Sequence, residues 1–195
     1  MPRHLLLIGQ PGCGKSSCIL KSLGPIRRKA GGYRTLRLWR EGRRAGFAHI
    51  PANSADGVDR PWREEEEGVF LTLGPEYGKK TLHPEVLLQH TLPMLQGDAP
   101  FYIVDECGGS ELTLPDFYDA LIHRLSSPAP VVGVWKGEGG FGSRKELQDP
   151  HFRKVWASFR DFLTGSPDIQ LVEGSEPDKM EQAVKRWMQE NEVGR

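Results

Sequence analysis

Gly9-Gln10-Pro11-Gly12-Cys13-Gly14-Lys15-Ser16 follows directly on the apolar run His4-Leu5-Leu6-Leu7-Ile8, and its reading decides the fold. The eight residues match the pattern G-x-x-x-x-G-K-[ST]. Its glycines let the backbone wrap around a phosphate with the amide hydrogens pointing inward. Lys15 is suited to reach β- and γ-phosphate oxygens, and the Ser16 hydroxyl to ligand a magnesium ion. The apolar run reads as a strand buried on both faces, and Lys15 to Leu23 reads as a helix closed by Gly24-Pro25. The positive end of that helix faces the same anion. A glycine-rich turn before an ordinary helix would leave the Lys-Ser pair unexplained. The expected nucleotide-binding residues are therefore Gly9, Gln10, Pro11, Gly12, Cys13, Gly14, Lys15, Ser16 and Ser17.

The second piece of chemistry is Phe101-Tyr102-Ile103-Val104-Asp105-Glu106, an apolar strand that delivers two carboxylates at its C-terminal end. Beside a phosphate loop, such an aspartate holds magnesium, and a neighbouring carboxylate orients or deprotonates the attacking water. Ser16 and Asp105 are thus the expected metal-side residues, with Mg2+ as cofactor, and Lys15 and Glu106 the expected catalytic ones.

Between and beyond these motifs, strand-like segments alternate with helical ones. Tyr33–Trp39, Ala45–Ile50 and Gly68–Leu73 read as strands, the first two joined as an antiparallel hairpin through Arg40-Glu41-Gly42-Arg43. Asn53 to Glu67 reads as a polar loop whose Glu64–Glu67 run is solvated. Pro84–Leu95, Pro115–Leu125 (capped by Thr113), Phe152–Leu163 and Pro177–Glu190 read as helices, and Val131–Trp135 and Ile169–Val172 as strands. This alternation implies a mainly parallel sheet covered on both faces.

The bulk composition narrows the function classes. A chain of 195 residues suits one domain spanning residues 1–195. The 26 basic residues are balanced by 26 acidic ones, so no basic field favours nucleic acid or an anionic membrane surface. The apolar start is too short for a signal sequence or a membrane span. Cys13, Cys18 and Cys107 are few and not spaced as metal ligands, which reads as reduced thiols in a cytoplasmic protein. The 23 glycines and 15 prolines indicate many turns rather than a helical bundle.

With these residues in hand, the chain resembles the THEP1 family of nucleoside-triphosphatases over roughly residues 3–135. The phosphate loop matches. Gly32-Tyr33-Arg34-Thr35 with Arg44-Ala45-Gly46-Phe47 is similar to the family's hairpin, Tyr77-Gly78 to its Y-G element, and Asp105-Glu106-Cys107-Gly108 with Glu111-Leu112 and Phe117 to its acidic segment. Ser16-Ser17 stands where Thr-Thr is common, which keeps the hydroxyl that magnesium needs. Cys107 and Gly109-Ser110 depart from the usual Ile, Lys and Met. The resemblance implies an α/β P-loop NTPase fold, three layers α/β/α with a mainly parallel sheet extended by an antiparallel hairpin. It also implies slow Mg2+-dependent hydrolysis of ATP, GTP and other triphosphates to the diphosphate, with little base selectivity.

Three further residues are candidates for catalysis. Arg44 in the hairpin and Arg144 after the Gly137–Gly142 loop could place a cation on the γ-phosphate. Glu111 could orient a water or serve only as a helix-entry carboxylate. The Gly137–Gly142 run matches G-x-G-x-x-G but lacks the following helix, so it reads as a lid rather than a second nucleotide loop. Two other functions stay open: a small-molecule kinase, and a nucleotide-controlled binding protein whose slow hydrolysis resets a switch. The sequence names no protein partner.

Overall fold

The protein, in a computed structural model, is described for residues 1–63, 66–74, 80–137, 148–174 and 176–194. Strand β1 (His4–Ile8) is followed by helix α1 (Lys15–Leu23), both with the ends read from the sequence, and then by a 3-10 turn at Gly24–Lys29. The sheet continues with β2 (Gly31–Arg40), β3 (Arg43–Pro51), β4 (Asp59–Pro61), β5 (Val69–Leu73), β6 (Lys80–Leu82), β7 (Tyr102–Cys107), β8 (Val131–Trp135) and β9 (Ile169–Glu173). The helices are α2 (Pro84–Val86), α3 (Leu92–Gln96), α4 (Pro115–Ser126), α5 (Pro150–Gly165) and α6 (Pro177–Glu190).

Among the described residues these strands form one sheet, in the order β6-β5-β3-β2-β7-β8-β1-β9, with β4 beside the outer half of β2. The pairs β2–β7, β7–β8, β8–β1 and β1–β9 are parallel, and the antiparallel part is β2–β3–β5–β6. The expected mixed sheet is thus present, with the hairpin as its antiparallel start. The strands alternate as a sheet buried on both sides requires. Leu5 and Leu7 of β1 pack under Ile19 and Leu23 of α1 and Val184 and Trp187 of α6. Leu6 joins Phe117 and Leu121 of α4 and Trp156 and Phe159 of α5 on the opposite face. Three layers result.

Gly32 shows how closely β2 approaches β7. It has φ +86°, and a Cβ there would lie 2.1 Å from the Ile103 carbonyl oxygen. Only glycine lets the two strands meet in the register that sets Arg34 beside Asp105.

Several local expectations are corrected. The helix expected over Pro84–Leu95 is broken: a π turn, Leu87–Thr91, separates α2 from α3. Pro93 lacks an amide hydrogen, and its ring crowds the carbonyl four residues back, so a regular ladder cannot run through it. Helix α5 begins earlier than expected, because Asp149 Oδ1 accepts from the amides of His151 (2.8 Å) and Phe152 (3.4 Å) ahead of the apolar stripe. Thr113 is not the cap of α4: Leu114 holds that position, and the Thr113 hydroxyl donates to the Ser110 carbonyl. The stretch read as a loop from Asn53 contains β4, and within the acidic run Glu66 is not solvated, because its buried carboxylate pairs with Arg60. Glu64 and Glu65 lie outside the described residues.

Candidate active site

The phosphate loop leaves β1 at Ile8 and enters α1 through Gly14, whose φ of +90° places it in the left-handed region. The first helical bond runs from the Cys18 amide to the Gly14 carbonyl (2.8 Å). No side chain caps the helix. The amides of Lys15, Ser16 and Ser17 are therefore the unpaired donors of its first turn, the arrangement that binds phosphate at helix N-termini. Lys15 is buried, and its ammonium donates to the carbonyls of Gly9 (2.9 Å) and Gln10 (2.8 Å). It also lies 3.5 Å from the Cys13 sulfur, so the cation sits across the loop. The loop is braced just past β9, where the Gly174 amide donates to the Ile8 carbonyl.

Across β8 lies the acidic strand. Ser16 Oγ donates to Asp105 Oδ1 at 2.9 Å, joining residues 89 positions apart. Asp105 is buried, and burial pushes its carboxyl up to about 7. The neighbouring Glu106 charge pushes the same way, while the Ser16 hydrogen bond, Arg34 and Lys15 pull it back. The peptide between Asp105 and Glu106 is cis, and the pairing with β8 is irregular there. Glu106 is half-buried; its amide donates to Thr35 Oγ1 (2.9 Å), and the Tyr33 hydroxyl donates to its carbonyl (3.4 Å). Beside it opens a cavity of about 80 Å³ shared with Thr35, Glu111 and Lys136.

Glu111 lies in a 3-10 turn, Ser110–Thr113, and is buried. Its Oε1 accepts from the amides of Gly108 (2.9 Å) and Gly109 (2.7 Å). Burial raises its carboxyl above the usual range; the Gly109 amide, its own amide and Lys136 oppose the rise, while the Glu106 charge adds to it. Glu111 therefore braces the Gly108-Gly109 turn and borders the same cavity. Arg44 is exposed on the hairpin, its guanidinium over the rings of Trp39 (5.3 Å) and Phe47 (5.5 Å). Phe47 in turn lines the cavity next to Glu106. Arg144, Tyr77-Gly78 and all of the Gly137–Gly142 loop except Gly137 lie outside the described residues.

Three residues escaped the sequence reading. Thr35 holds the Glu106 amide, and its threonine in the Gly32–Thr35 element was the available signal. Lys136 directly follows an apolar strand, at the carboxyl end where ligands of α/β sheets gather, and position alone could have found it. Arg34 carries no such signal. It is 1% exposed and donates to the carbonyls of Ala52 (3.2 Å), Ser54 (3.1 Å), Asp56 (2.9 Å) and Gly57 (3.3 Å).

Among the described residues no cluster of three or more His, Cys, Asp or Glu could hold a metal unaided. Ser16 and Asp105 offer one hydroxyl and one carboxylate, two hard-oxygen side chains. That donor set fits Mg2+, which binds through one or two protein oxygens and takes the rest from phosphates and water.

The model of the NTPase family matches residues 4–161. The chain belongs to that family. Its membership makes it a hydrolase of nucleoside triphosphates. The THEP1 nucleoside-triphosphatase of Thermofilum pendens is 29% identical over 142 residues, covering 68% of this chain and 72% of that protein. The cancer-related nucleoside-triphosphatase homolog of Mus musculus is 28% identical over 145 residues, covering 68% and 74%. The crystal structure of THEP1 from Aquifex aeolicus superposes with a TM-score of 0.57 at 16% identity, over 98% of this chain and 99% of that one. At that identity the superposition establishes the α/β fold alone. Among the described residues no helix is long and apolar enough to cross a membrane.

Proposed function

We propose that this member of the NTPase family hydrolyses nucleoside triphosphates to diphosphate and phosphate with Mg2+, without strong preference for the base. The observation that carries the reading is the Ser16–Asp105 hydrogen bond, which ties the phosphate loop to the acidic strand across β8. The triphosphate is held by the amides of the Gly9–Ser17 segment and by Lys15. Those groups recognise only what ATP, GTP, CTP and UTP share, which supports breadth. Ser16 and Asp105 are the residues that would hold Mg2+, and the ion, when bound, neutralises charge on the phosphate oxygens.

The chain's own residues supply the rest. Lys15 moves from its carbonyl partners to the β- and γ-oxygens and stabilises charge that grows there in the transition state. Glu106 orients a water for in-line attack and accepts its proton. Thr35 fixes the Glu106 backbone, and the Glu111 carboxylate, locked by two amides, borders the same cavity.

The deciding experiment is phosphate release from ATP, GTP, CTP and UTP with Mg2+ and with EDTA, on wild type, Lys15→Ala and Glu106→Gln. Lys15→Ala loses binding. Glu106→Gln keeps binding and loses roughly a hundredfold or more in turnover, the scale of a positioned general base. Equal turnover in Glu106→Gln and wild type would remove that residue from the mechanism.

A further inference from the structure

Glu106 stands where the regular ladder of β7 breaks. Pairing with β2 runs from Gly31 opposite Tyr102 to Arg34 opposite Asp105 and stops there. Pairing with β8 matches Asp105 with Val134 and then Cys107 with Trp135, so Glu106 is passed over. Sheet neighbours do not aim a residue in such an irregularity; its direction depends on what else holds the backbone on either side.

Upstream, that hold comes from β2. Thr35 Oγ1 accepts from the Glu106 amide (2.9 Å), and the Tyr33 hydroxyl donates to the Glu106 carbonyl (3.4 Å). Downstream, the Cys107 carbonyl accepts from the Lys136 amide (2.7 Å). The next two amides, of Gly108 (2.9 Å) and Gly109 (2.7 Å), both donate to Glu111 Oε1. Two donors fill the two lone-pair directions of that oxygen, and its charge strengthens both bonds. Glu111 can act as a clamp because its own turn is anchored. Leu112 beside it is buried in the core with Phe117 and Leu121, and the Leu112 amide donates to the Gly109 carbonyl (3.2 Å). The glycines admit the contact: Gly108 has φ +108°, and a Cβ on Gly109 would lie 2.6 Å from Glu111 Oε2. The chain leaving β7 is thus tied to the core two residues past Glu106.

We propose that Glu111 is a positioning residue for hydrolysis: its clamp on Gly108 and Gly109 sets where the Glu106 carboxylate stands, and Glu111 itself transfers no proton. The inference rests on the reading of Glu106 as the group that orients the attacking water. It differs both from a water-orienting Glu111 and from a carboxylate that only opens a helix. The role needs an acceptor oxygen at the right reach. Glutamine keeps that oxygen and that length, aspartate keeps the charge but is one methylene shorter, and alanine keeps neither.

The test is steady-state phosphate release from ATP with Mg2+, on the full chain, with urea unfolding to confirm that each variant is folded. Glu111→Ala lowers kcat about tenfold to a hundredfold, the scale of a misplaced catalytic group, and leaves KM for ATP within about twofold. Glu111→Gln restores kcat to within about threefold of wild type, whereas Glu111→Asp stays at least about tenfold down. In a Glu106→Gln background, adding Glu111→Ala costs less than about twofold more, because no base is left to place. Wild-type kcat in folded Glu111→Ala overturns the proposal. So does a folded Glu111→Gln as slow as Glu111→Ala, since the carboxylate itself then takes part. Full additivity in the double variant overturns it too, because Glu111 then acts independently of Glu106. Should Glu111→Ala fail to fold, equal kcat in Glu111→Gln and Glu111→Asp overturns it. Loss of turnover in Glu106→Gln with none in Glu111→Ala removes this inference alone; wild-type turnover in Glu106→Gln removes the reading beneath it as well.

Discussion

Replacing Arg34 by Met tests the idea that one buried cation organises the approach to the site. The substitution keeps the apolar stem and deletes the guanidinium. Four carbonyls, those of Ala52, Ser54, Asp56 and Gly57, lose their donor together. Ser54 and Asp56 are half-buried and Gly57 is exposed, so their carbonyls regain water, whereas Ala52 is sealed. A hydrogen bond from a charged donor contributes about 1.5–3 kcal/mol net, and a buried carbonyl left bare costs about 1–3 kcal/mol. Relief from holding a cation away from water offsets part of this. The expected loss is about 2–4 kcal/mol. With a urea m-value of about 2 kcal/mol/M, the unfolding midpoint falls by about 1–2 M.

Equilibrium unfolding followed by tryptophan fluorescence measures that shift. Amide hydrogen exchange checks its origin, because protection should drop over residues 52–57 before it drops in β1. The electrostatic consequence is separate. Arg34 lies in register with Asp105 and helps hold its carboxyl down, so on the proposed mechanism Arg34→Met also raises the Mg2+ concentration needed for half-maximal turnover. A midpoint within about 0.25 M of wild type, with unchanged exchange at 52–57, would refute the argument.

Two other perturbations have clear expected outcomes. Gly32→Ala sets a Cβ 2.1 Å from the Ile103 carbonyl at a φ of +86°, so β2 must shift from β7; circular dichroism melts should show a loss of at least about 3 kcal/mol, and a smaller one means the strands separate easily. His4 is buried at the start of β1 and lowered to about 4, chiefly by burial and then by Arg3, with Asp168 opposing. Because the unfolded chain takes up that proton near pH 6.5 and the folded chain only near 4, stability is lost as pH falls through this window, by about 3 kcal/mol in total. His4→Gln should flatten that stretch of the pH–stability curve, and parallel curves for the two proteins would show that His4 does not titrate there.

The legible part of the fold was the part whose signals are local. β1, the phosphate loop and α1 are contiguous, so an apolar run, a glycine turn and a Lys-Ser pair sufficed to place them. Asp105 and Glu106 could be read as a site because an apolar strand ending in two carboxylates is equally local. Failures occurred where a distant partner decides. Arg34 looks like an outward residue of a hairpin strand, and only the return of residues 52–57 over it makes it a buried hub. β4 is three residues long and exists because β2 offers it an edge. Arg44 remains a candidate cation, and its contacts with Trp39 and Phe47 are ones that a hairpin register creates and a list of residue types cannot show.

The candidate site depends on one central strand. β8 lies between β1 and β7, in register with Leu6 on one side and Val104 on the other at Gly133. A Cβ at that position would lie 2.2 Å from the Val104 carbonyl oxygen and 3.1 Å from a Leu6 methyl, so the three strands close up only because a side chain is missing there. That spacing lets Ser16, two strands away, reach Asp105 directly. Further along β8 the chain continues to Lys136, whose amide donates to the Cys107 carbonyl (2.7 Å) and whose side chain joins the cavity beside Glu106. The phosphate loop, the acidic strand and the cavity are therefore positioned by one central strand. A bulkier residue at 133 should separate Ser16 from Asp105 and displace Lys136 together, coupling nucleotide binding to the nucleophile side without touching either.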